Sequence, residues 1–149
     1  MATTLAYIAS LCTRKYTSSA NAKNDVACQE FYDSSYNYVG VISFPGLNLE
    51  NKVITEIWLD IDAEKAGYGV KNTKTVYLRK ANYQDDIASG VTGGQYVGDE
   101  LGTFEGAFYG NYNGYHITGP LFDAMAAYIS AGNNSFTIYN PLATASPHG

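Results

Sequence analysis

Residue types that could carry out catalysis are few and widely spaced in this 149-residue sequence. Cys12 and Cys28 have no histidine at a spacing that would predict a cysteine–histidine pair. The two histidines are His116, in a Tyr/Gly-rich segment, and His148, next to the last residue and therefore poorly placed to be held rigidly. The sequence contains no GxSxG, HExxH or phosphate-cradling glycine motif. We therefore expect a protein that is not an enzyme.

Paired carboxylates are the remaining candidates for acid–base chemistry. Glu100 and Glu105, or Asp85 and Asp86, are close enough in sequence to be considered as the two acids of a small glycosidase. Adjacent acids on polar turns are more often solvated, so glycoside cleavage is the weakest of the alternatives. It would require turnover that depends on Glu100 or Glu105.

One acidic run has the spacing of the start of a calcium loop. Asp60, Asp62 and Glu64 alternate, and Gly67 follows, but the twelfth position is Lys71 rather than glutamate. On an extended strand the three acids would instead form an outward acidic stripe. We expect no cofactor, with calcium at this run as the alternative.

Aromatic side chains are the most suggestive feature. Residues 108–116, FYGNYNGYH, are a predicted loop that places Tyr109, Tyr112 and Tyr115 among asparagine and glycine and also contains His116. Trp58 is expected on the charged face of its strand. Tyrosine and tryptophan combine a flat apolar face with a hydrogen-bonding group, which suits sugar rings and protein interfaces alike. We predict that Trp58, Tyr109, Tyr112 and Tyr115 contact a ligand or partner. The alternative is that they pack the rim of the fold with their hydroxyls in water.

The elements that must position these residues are mostly strands. Alternation of apolar and polar residues predicts strands at 38–44, 53–62 and 75–79, and shorter ones at 26–32, 103–109 and 135–139. In the second of these, Ile57, Leu59 and Ile61 point one way, while Glu56 and Trp58 point the other. Asparagine, glycine, aspartate and serine clusters between them indicate turns.

A single helix interrupts this pattern. Pro120 stands near its first position, and Gly132 follows its last turn, so the predicted helix runs from Pro120 to Ala131. The predicted core consists of the inward-facing apolar residues of the strands and of this helix: Val41, Ile57, Leu59, Ile61, Val76, Leu78, Leu121, Met125, Ile129 and Ile138.

The order of three strand segments resembles a known family. They are YVGVISF at 38–44, NKVITEIWLDI at 51–61 and KTVYLRK at 74–80. This order is similar to the non-catalytic β-sandwich modules of the DNRLRE type, found in bacterial wall-associated and carbohydrate-binding proteins, in which an "ITSAxLxLxV"-like strand precedes a short valine-rich one. Residues 116–132 and 136–138 resemble that family's short helix and late strand.

A second likeness is to uncharacterised phage and prophage proteins of Gram-positive gut bacteria. Two segments resemble short stretches of sequence in those proteins: KTVYLRKANY at 74–83 and AGNNSF at 131–136. The two resemblances cover about residues 21–141. They imply a sandwich fold and carry no catalytic or ligand-binding residue.

Composition excludes several classes of partner. A net charge of −5 leaves no basic surface of the kind that nucleic-acid binding requires, and no run of eighteen apolar residues predicts a membrane span. The apolar run from Leu5 to Cys12 lacks a preceding basic region and is followed by Arg14 and Lys15, so it does not resemble a signal peptide. We expect a virion or extracellular location without a classical signal peptide. Cys12 and Cys28 could form one disulfide in an oxidising compartment or be small buried hydrophobic residues.

These observations combine into one prediction of fold and function. We expect a single domain over residues 1–149 that is mainly β: an antiparallel, jelly-roll-like β-sandwich with one short α-helix. Sandwiches of the resembled type close with one or two more strands after the late one, whereas residues 145–149 make a poor strand. Three alternatives follow: the sheet closes differently, the chain is truncated, or a neighbouring subunit supplies the missing strand. We expect a non-enzymatic structural or host-attachment component of a phage-like particle, forming a homo-oligomer or binding other virion proteins. The alternative is a stand-alone carbohydrate-binding module that recognises cell-surface glycans.

Overall fold

The structure, a computed structural model, describes residues 1–15, 38–62, 73–84, 90–107 and 112–139. Within them the chain forms strands and helices in the following order: β1 (Ser10–Lys15), β2 (Tyr38–Ser43), β3 (Ile57–Asp62), β4 (Thr73–Ala81), α1 (Gly93–Tyr96), β5 (Val97–Ala107), β6 (Tyr112–Ile117), α2 (Gly119–Ser130) and β7 (Ser135–Ile138).

The described strands form two antiparallel sheets. Five strands lie in the order β1-β2-β7-β4-β5, and β3 pairs with β6 in a separate two-stranded sheet. The predicted fold class, mainly β and antiparallel, is therefore confirmed, and the arrangement is compatible with a β-sandwich. The predicted helix is present as α2, and the short helix α1 adds a single turn that we did not predict.

The larger apolar cluster joins both sheets to α2. Buried side chains from the five-stranded sheet, from β6 and from α2 meet in it, and half-buried Ile57 and Leu59 of β3 pack against it. A smaller cluster lies around Tyr96 of α1, which packs with Val39 and Val41. Because Val41 and Ile42 are consecutive in β2, the two clusters cover opposite faces of this strand.

Most of the predicted core is confirmed. Six of its members are buried: Val41, Val76, Leu78, Leu121, Met125 and Ile129. Ile57, Leu59 and Ile138 are half-buried and pack against the larger cluster. The side chain of Ile61 lies outside the described residues. The prediction missed several buried aromatic residues, among them Tyr96, Tyr128 and Phe136.

Helix α2 begins and ends as its sequence signals predict, within one residue. Thr118 is extended at the N-cap, and Pro120 occupies the first turn. At the other end, Gly132 has φ +92°, a conformation that favours glycine. Its N–H donates to the carbonyl of Ile129, and the N–H of Asn133 donates to that of Tyr128. This pair of bonds is a Schellman motif.

The main correction concerns residues 112–117, which we interpreted as part of an aromatic loop. They form β6, paired with β3 from Ile57↔Ile117 to Asp62↔Tyr112. Asparagine and glycine predict a turn locally, but the hydrogen bonds to β3 and burial of Ile117 favour the strand. Strand β5 is also longer than the predicted 103–109, and β1 was not predicted. The strand predicted at 26–32 lies outside the described residues.

Candidate functional site

The alternation of β3 produces a polar outer surface on the two-stranded sheet. Ile57 and Leu59 pack toward the core, whereas Trp58 and Asp60 point outward, as predicted. Trp58 is 57 % exposed, which is unusual for tryptophan, the largest of the apolar side chains. We call this surface the Trp58 face: it consists of Glu56, Trp58, Asp60, Gly114 and His116.

A ring stack fixes the orientation of the indole. In the strand register Trp58 lies opposite His116, and the two rings are parallel within 7° at a centroid separation of 4.5 Å. The imidazole covers part of one indole face. Because the residue keeps more than half of its surface exposed, a second molecule can reach the remainder of the ring.

Glu56, just before β3, connects both rings. The indole N–H of Trp58 donates to Oε1 of Glu56 at 2.7 Å, and Nε2 of His116 lies 3.5 Å from the same oxygen. Both contacts use Oε1, so Oε2 has no partner among the described residues. The carboxylate thus holds the indole with one oxygen and can accept a hydrogen bond from a ligand with the other.

Gly114 lets the Asp60 carboxylate lie close to the indole. It lies opposite Asp60, and a Cβ at this position would be 3.0 Å from Oδ1 of Asp60 and 3.7 Å from Cε3 of Trp58. The Asp60 carboxylate and the indole edge are therefore neighbours on either side of this glycine. Both carboxylates of the Trp58 face, from Glu56 and Asp60, flank the indole along one strand.

The structure describes two of the four predicted contact side chains, those of Trp58 and Tyr115. Tyr115 pairs with Leu59 and faces the core, where its ring lies 5.4 Å from that of Phe104. Tyr112 occupies β6 opposite Asp62, and Tyr109 lies outside the described residues. Trp58 and Tyr115 therefore point to opposite sides of the two-stranded sheet and do not share one flat ligand.

Sequence reasoning missed the roles of Glu56 and His116. We placed Glu56 on the charged side of its strand and His116 in a loop. The signal that would have found them is the period-two alternation of Tyr112, Gly114 and His116, which becomes informative only once β6 is known to be a strand paired with β3.

The pair considered for glycoside cleavage is spread along β5. Glu100 and Glu105 are both exposed, and Oε1 of Glu105 accepts a hydrogen bond from the Thr75 hydroxyl at 2.6 Å. Five steps along a strand separate Cα atoms by about 16 Å. Glycosidase carboxyl groups lie only about 5–9.5 Å apart. This spacing disfavours the pair as catalytic acids. Asp85, Asp86, Cys28 and His148 lie outside the described residues.

The structure describes only part of the calcium-loop candidate. Glu64 and Lys71 and the side chain of Asp62 lie outside the described residues, so this prediction stays a prediction. In the rest of the chain that the structure describes, no three of the His, Cys, Asp and Glu side chains group as metal ligands would.

A second polar region lies beneath α2. A cleft of about 1260 Å³ is bordered by β4, the start of β5 and α2, with Arg79, Lys80, Asp99 and Glu100 among its charged residues. Lys80 and Asp99 approach to 3.8 Å, and Nε of Arg79 donates to the carbonyl of Gly98. Three of these four charged side chains thus have a contact within the chain: Arg79, Lys80 and Asp99.

Tyr128 and Gln84, which line this cleft, form a network of hydrogen bonds with neighbouring segments. The Tyr128 hydroxyl donates to the carbonyl of Ser135 at 2.8 Å and accepts from the Ala81 N–H and from Nε2 of Gln84. Oε1 of Gln84 accepts from the N–H groups of Asn134 and Ser135. This network ties β4 and α2 to β7, which is a structural use of polar groups.

Comparisons with protein-family models, with curated proteins and with solved structures find no match to the chain. The resemblance to DNRLRE-type modules therefore stays an expectation. Neither of the two helices in the described segments has the length and apolar content needed to cross a membrane.

Proposed function

We propose that the protein is a non-enzymatic binding module that serves a phage-like particle as a structural or host-attachment component and works as an oligomer. The observation that supports this proposal is the exposed indole of Trp58, which the chain itself holds in place through Glu56 and His116. A large aromatic side chain that is ordered before any partner arrives loses little entropy on binding.

Strand order and charge support the oligomer. Among the described strands, β1 and β5 lie at the two edges of the five-stranded sheet. β1 includes Arg14 and Lys15, whereas β5 includes Asp99, Glu100 and Glu105. A head-to-tail contact between copies would pair a strand whose sequence carries two basic residues with one that carries three acidic residues, and such contacts build rings or filaments.

The experiment measures molar mass by light scattering across a range of protein concentrations at low and high salt. We expect oligomers that dissociate as salt rises, because exposed charges are screened. Glu100→Lys should weaken association, whereas Glu50→Lys, with the same charge change on an exposed residue before β3, should not. A stable monomer at high concentration that is also absent from purified particles would contradict the proposal.

The Trp58 face also favours a second candidate, a stand-alone carbohydrate-binding module. An exposed indole flanked by hydrogen-bonding carboxylates can stack on a sugar ring and bind its hydroxyl groups. A glycan array with the wild-type protein, Trp58→Ala and Tyr112→Ala tests it. Loss of glycan binding in Trp58→Ala by a protein that remains monomeric would favour this candidate, and unchanged binding in both variants would remove the site.

A further inference from the structure

We propose that the Trp58 face binds a sugar ring that carries a free, protonated amino group. The inference rests on the proposed function, that of a binding module, and names the class of ligand. It depends on the charges around the indole as well as on the indole itself.

The first step is the stacking surface. The indole of Trp58 is held by the bond from its N–H to Glu56 and by the parallel ring of His116. The apolar face of a pyranose ring can stack on the exposed part of the indole. Stacking alone would accept many sugars, since it does not distinguish their substituents.

The second step is the charge that surrounds this surface. Glu56 and Asp60 stand two residues before and two residues after Trp58 on the same side of β3. The Oε2 atom of Glu56 and the carboxylate of Asp60 can each accept a charge-assisted hydrogen bond from an ammonium group. An indole face also attracts a cation, whereas a sugar carboxylate or sulfate would be repelled.

The third step is the short distance between the Asp60 carboxylate and the indole. A Cβ at Gly114 would lie 3.0 Å from Oδ1 of Asp60 and 3.7 Å from Cε3 of Trp58, so both groups lie beside this exposed glycine. A substituent of a ring stacked on the indole can therefore reach the Asp60 carboxylate. The charge pair and the stacking surface thus converge on one ligand chemistry, an amino sugar.

The experiment uses the chain's single tryptophan, Trp58, as the reporter. Glucosamine oligomers with free amino groups, N-acetylglucosamine oligomers of equal length and galacturonate oligomers are titrated at about pH 7, where amino groups are still mostly protonated. We expect the free-amine oligomer to shift the tryptophan emission and to bind at least about fivefold more tightly than the N-acetylated one. The galacturonate oligomer should not bind.

Two matched variants distinguish specific binding at the Trp58 face from the nonspecific attraction between an acidic protein and a polycation. Glu56→Gln keeps an oxygen that can accept the indole N–H but removes the charge, and should weaken free-amine binding about fivefold or more. Glu50→Gln removes the same charge elsewhere and should change the affinity less than about twofold. Asp60→Asn should act like Glu56→Gln. Calorimetry provides the same comparison for Trp58→Ala, which should lose binding.

Three outcomes would overturn the inference. They are equal binding of the N-acetylated or galacturonate oligomer, equal losses in Glu56→Gln and Glu50→Gln, and failure of all three oligomers to bind. In the first case a binding module remains and only the ligand class is wrong. The proposed attachment function fails separately, through the oligomer and particle measurements above.

Discussion

Trp58 and Tyr128 show how the same kind of side chain can serve two purposes. Both are large aromatic residues whose polar group is hydrogen-bonded within the chain. Tyr128 is only 7 % exposed, and its hydroxyl has partners in β4, in Gln84 and in β7. Trp58 is mostly exposed. Its ring stacks on the ring of His116, and its N–H donates to one carboxylate oxygen of Glu56.

The two regions differ in the exposed surface and the hydrogen-bonding groups that remain available to another molecule. Around Tyr128 the donors and acceptors of the chain satisfy one another, and a ligand could bind there only by breaking them. Around Trp58 the internal contacts fix the side chain but leave an open indole surface and a carboxylate oxygen. The Tyr128 network should therefore control stability, and the Trp58 face should control binding.

The largest expected effect on stability comes from Gln84→Ala. This change removes the hydrogen bonds that Gln84 accepts from the N–H groups of Asn134 and Ser135 and the one that it donates to the Tyr128 hydroxyl. We expect the free energy of unfolding to fall by about 3 kcal/mol, since each such bond contributes about 1 kcal/mol. Urea denaturation followed by circular dichroism measures it.

The same substitution at Gln95 provides the control for Gln84→Ala. Gln95 is exposed, and its side chain accepts from the Thr92 N–H at the start of the single-turn helix α1. Its loss should lower the free energy of unfolding by only about 0.5 kcal/mol. Equal effects of the two variants would contradict a structural role for the network.

Tyr128→Phe removes one hydroxyl from that network and keeps the ring in the core. The Ala81 N–H loses an acceptor and the Ser135 carbonyl loses a donor. We expect a loss of about 1.5 kcal/mol in the free energy of unfolding. Tyr83→Phe, at a 38 % exposed residue, should change it by less than about 0.5 kcal/mol.

The sequence predicted these two regions unequally. The alternation of Ile57, Trp58 and Leu59 is a local pattern with strong period two, and it correctly placed the tryptophan outside. The helix from Gly119 to Ser130 was predicted for the same reason, because its proline, glycine and apolar spacing are local signals.

Contacts between residues that are far apart in the sequence could not be predicted from local patterns. Gln84 and Tyr128 are separated by forty-four positions, and nothing local indicates that they bond. His116 became a partner of Trp58 only through the pairing of β3 with β6, which the turn-forming asparagine and glycine of β6 concealed. Strand pairing is decided by tertiary packing, so a single sequence carries little of it.

Trp58→Ala should have a smaller effect on stability than either change in the network. The residue is largely exposed, and its removal ends one ring stack and one surface hydrogen bond. We expect the free energy of unfolding to fall by about 0.7 kcal/mol, measured by circular dichroism because the variant contains no tryptophan. A loss above about 2 kcal/mol would place Trp58 among the structural residues and end the contrast with Tyr128.

Gly114→Ala should have the smallest effect on stability and still alter the Trp58 face. The added methyl group would lie 3.0 Å from Oδ1 of Asp60, whose exposed side chain can rotate away. Alanine is also favoured over glycine in a strand by about 0.5 kcal/mol. We therefore expect the free energy of unfolding to change by less than about 0.5 kcal/mol, while the emission maximum of Trp58 shifts.

Gly102→Ala is the matched comparison for this glycine substitution. Gly102 has φ +151° in β5, and a Cβ there would lie 3.2 Å from Cδ1 of Leu121, which is buried in the core. Neither the backbone nor α2 can move freely at this position, so we expect a loss of about 2 kcal/mol. If Gly114→Ala were as destabilising as Gly102→Ala, Asp60 and Trp58 would be packed against β6 as firmly as Leu121 is packed in the core, and the Trp58 face would be structural rather than a binding surface.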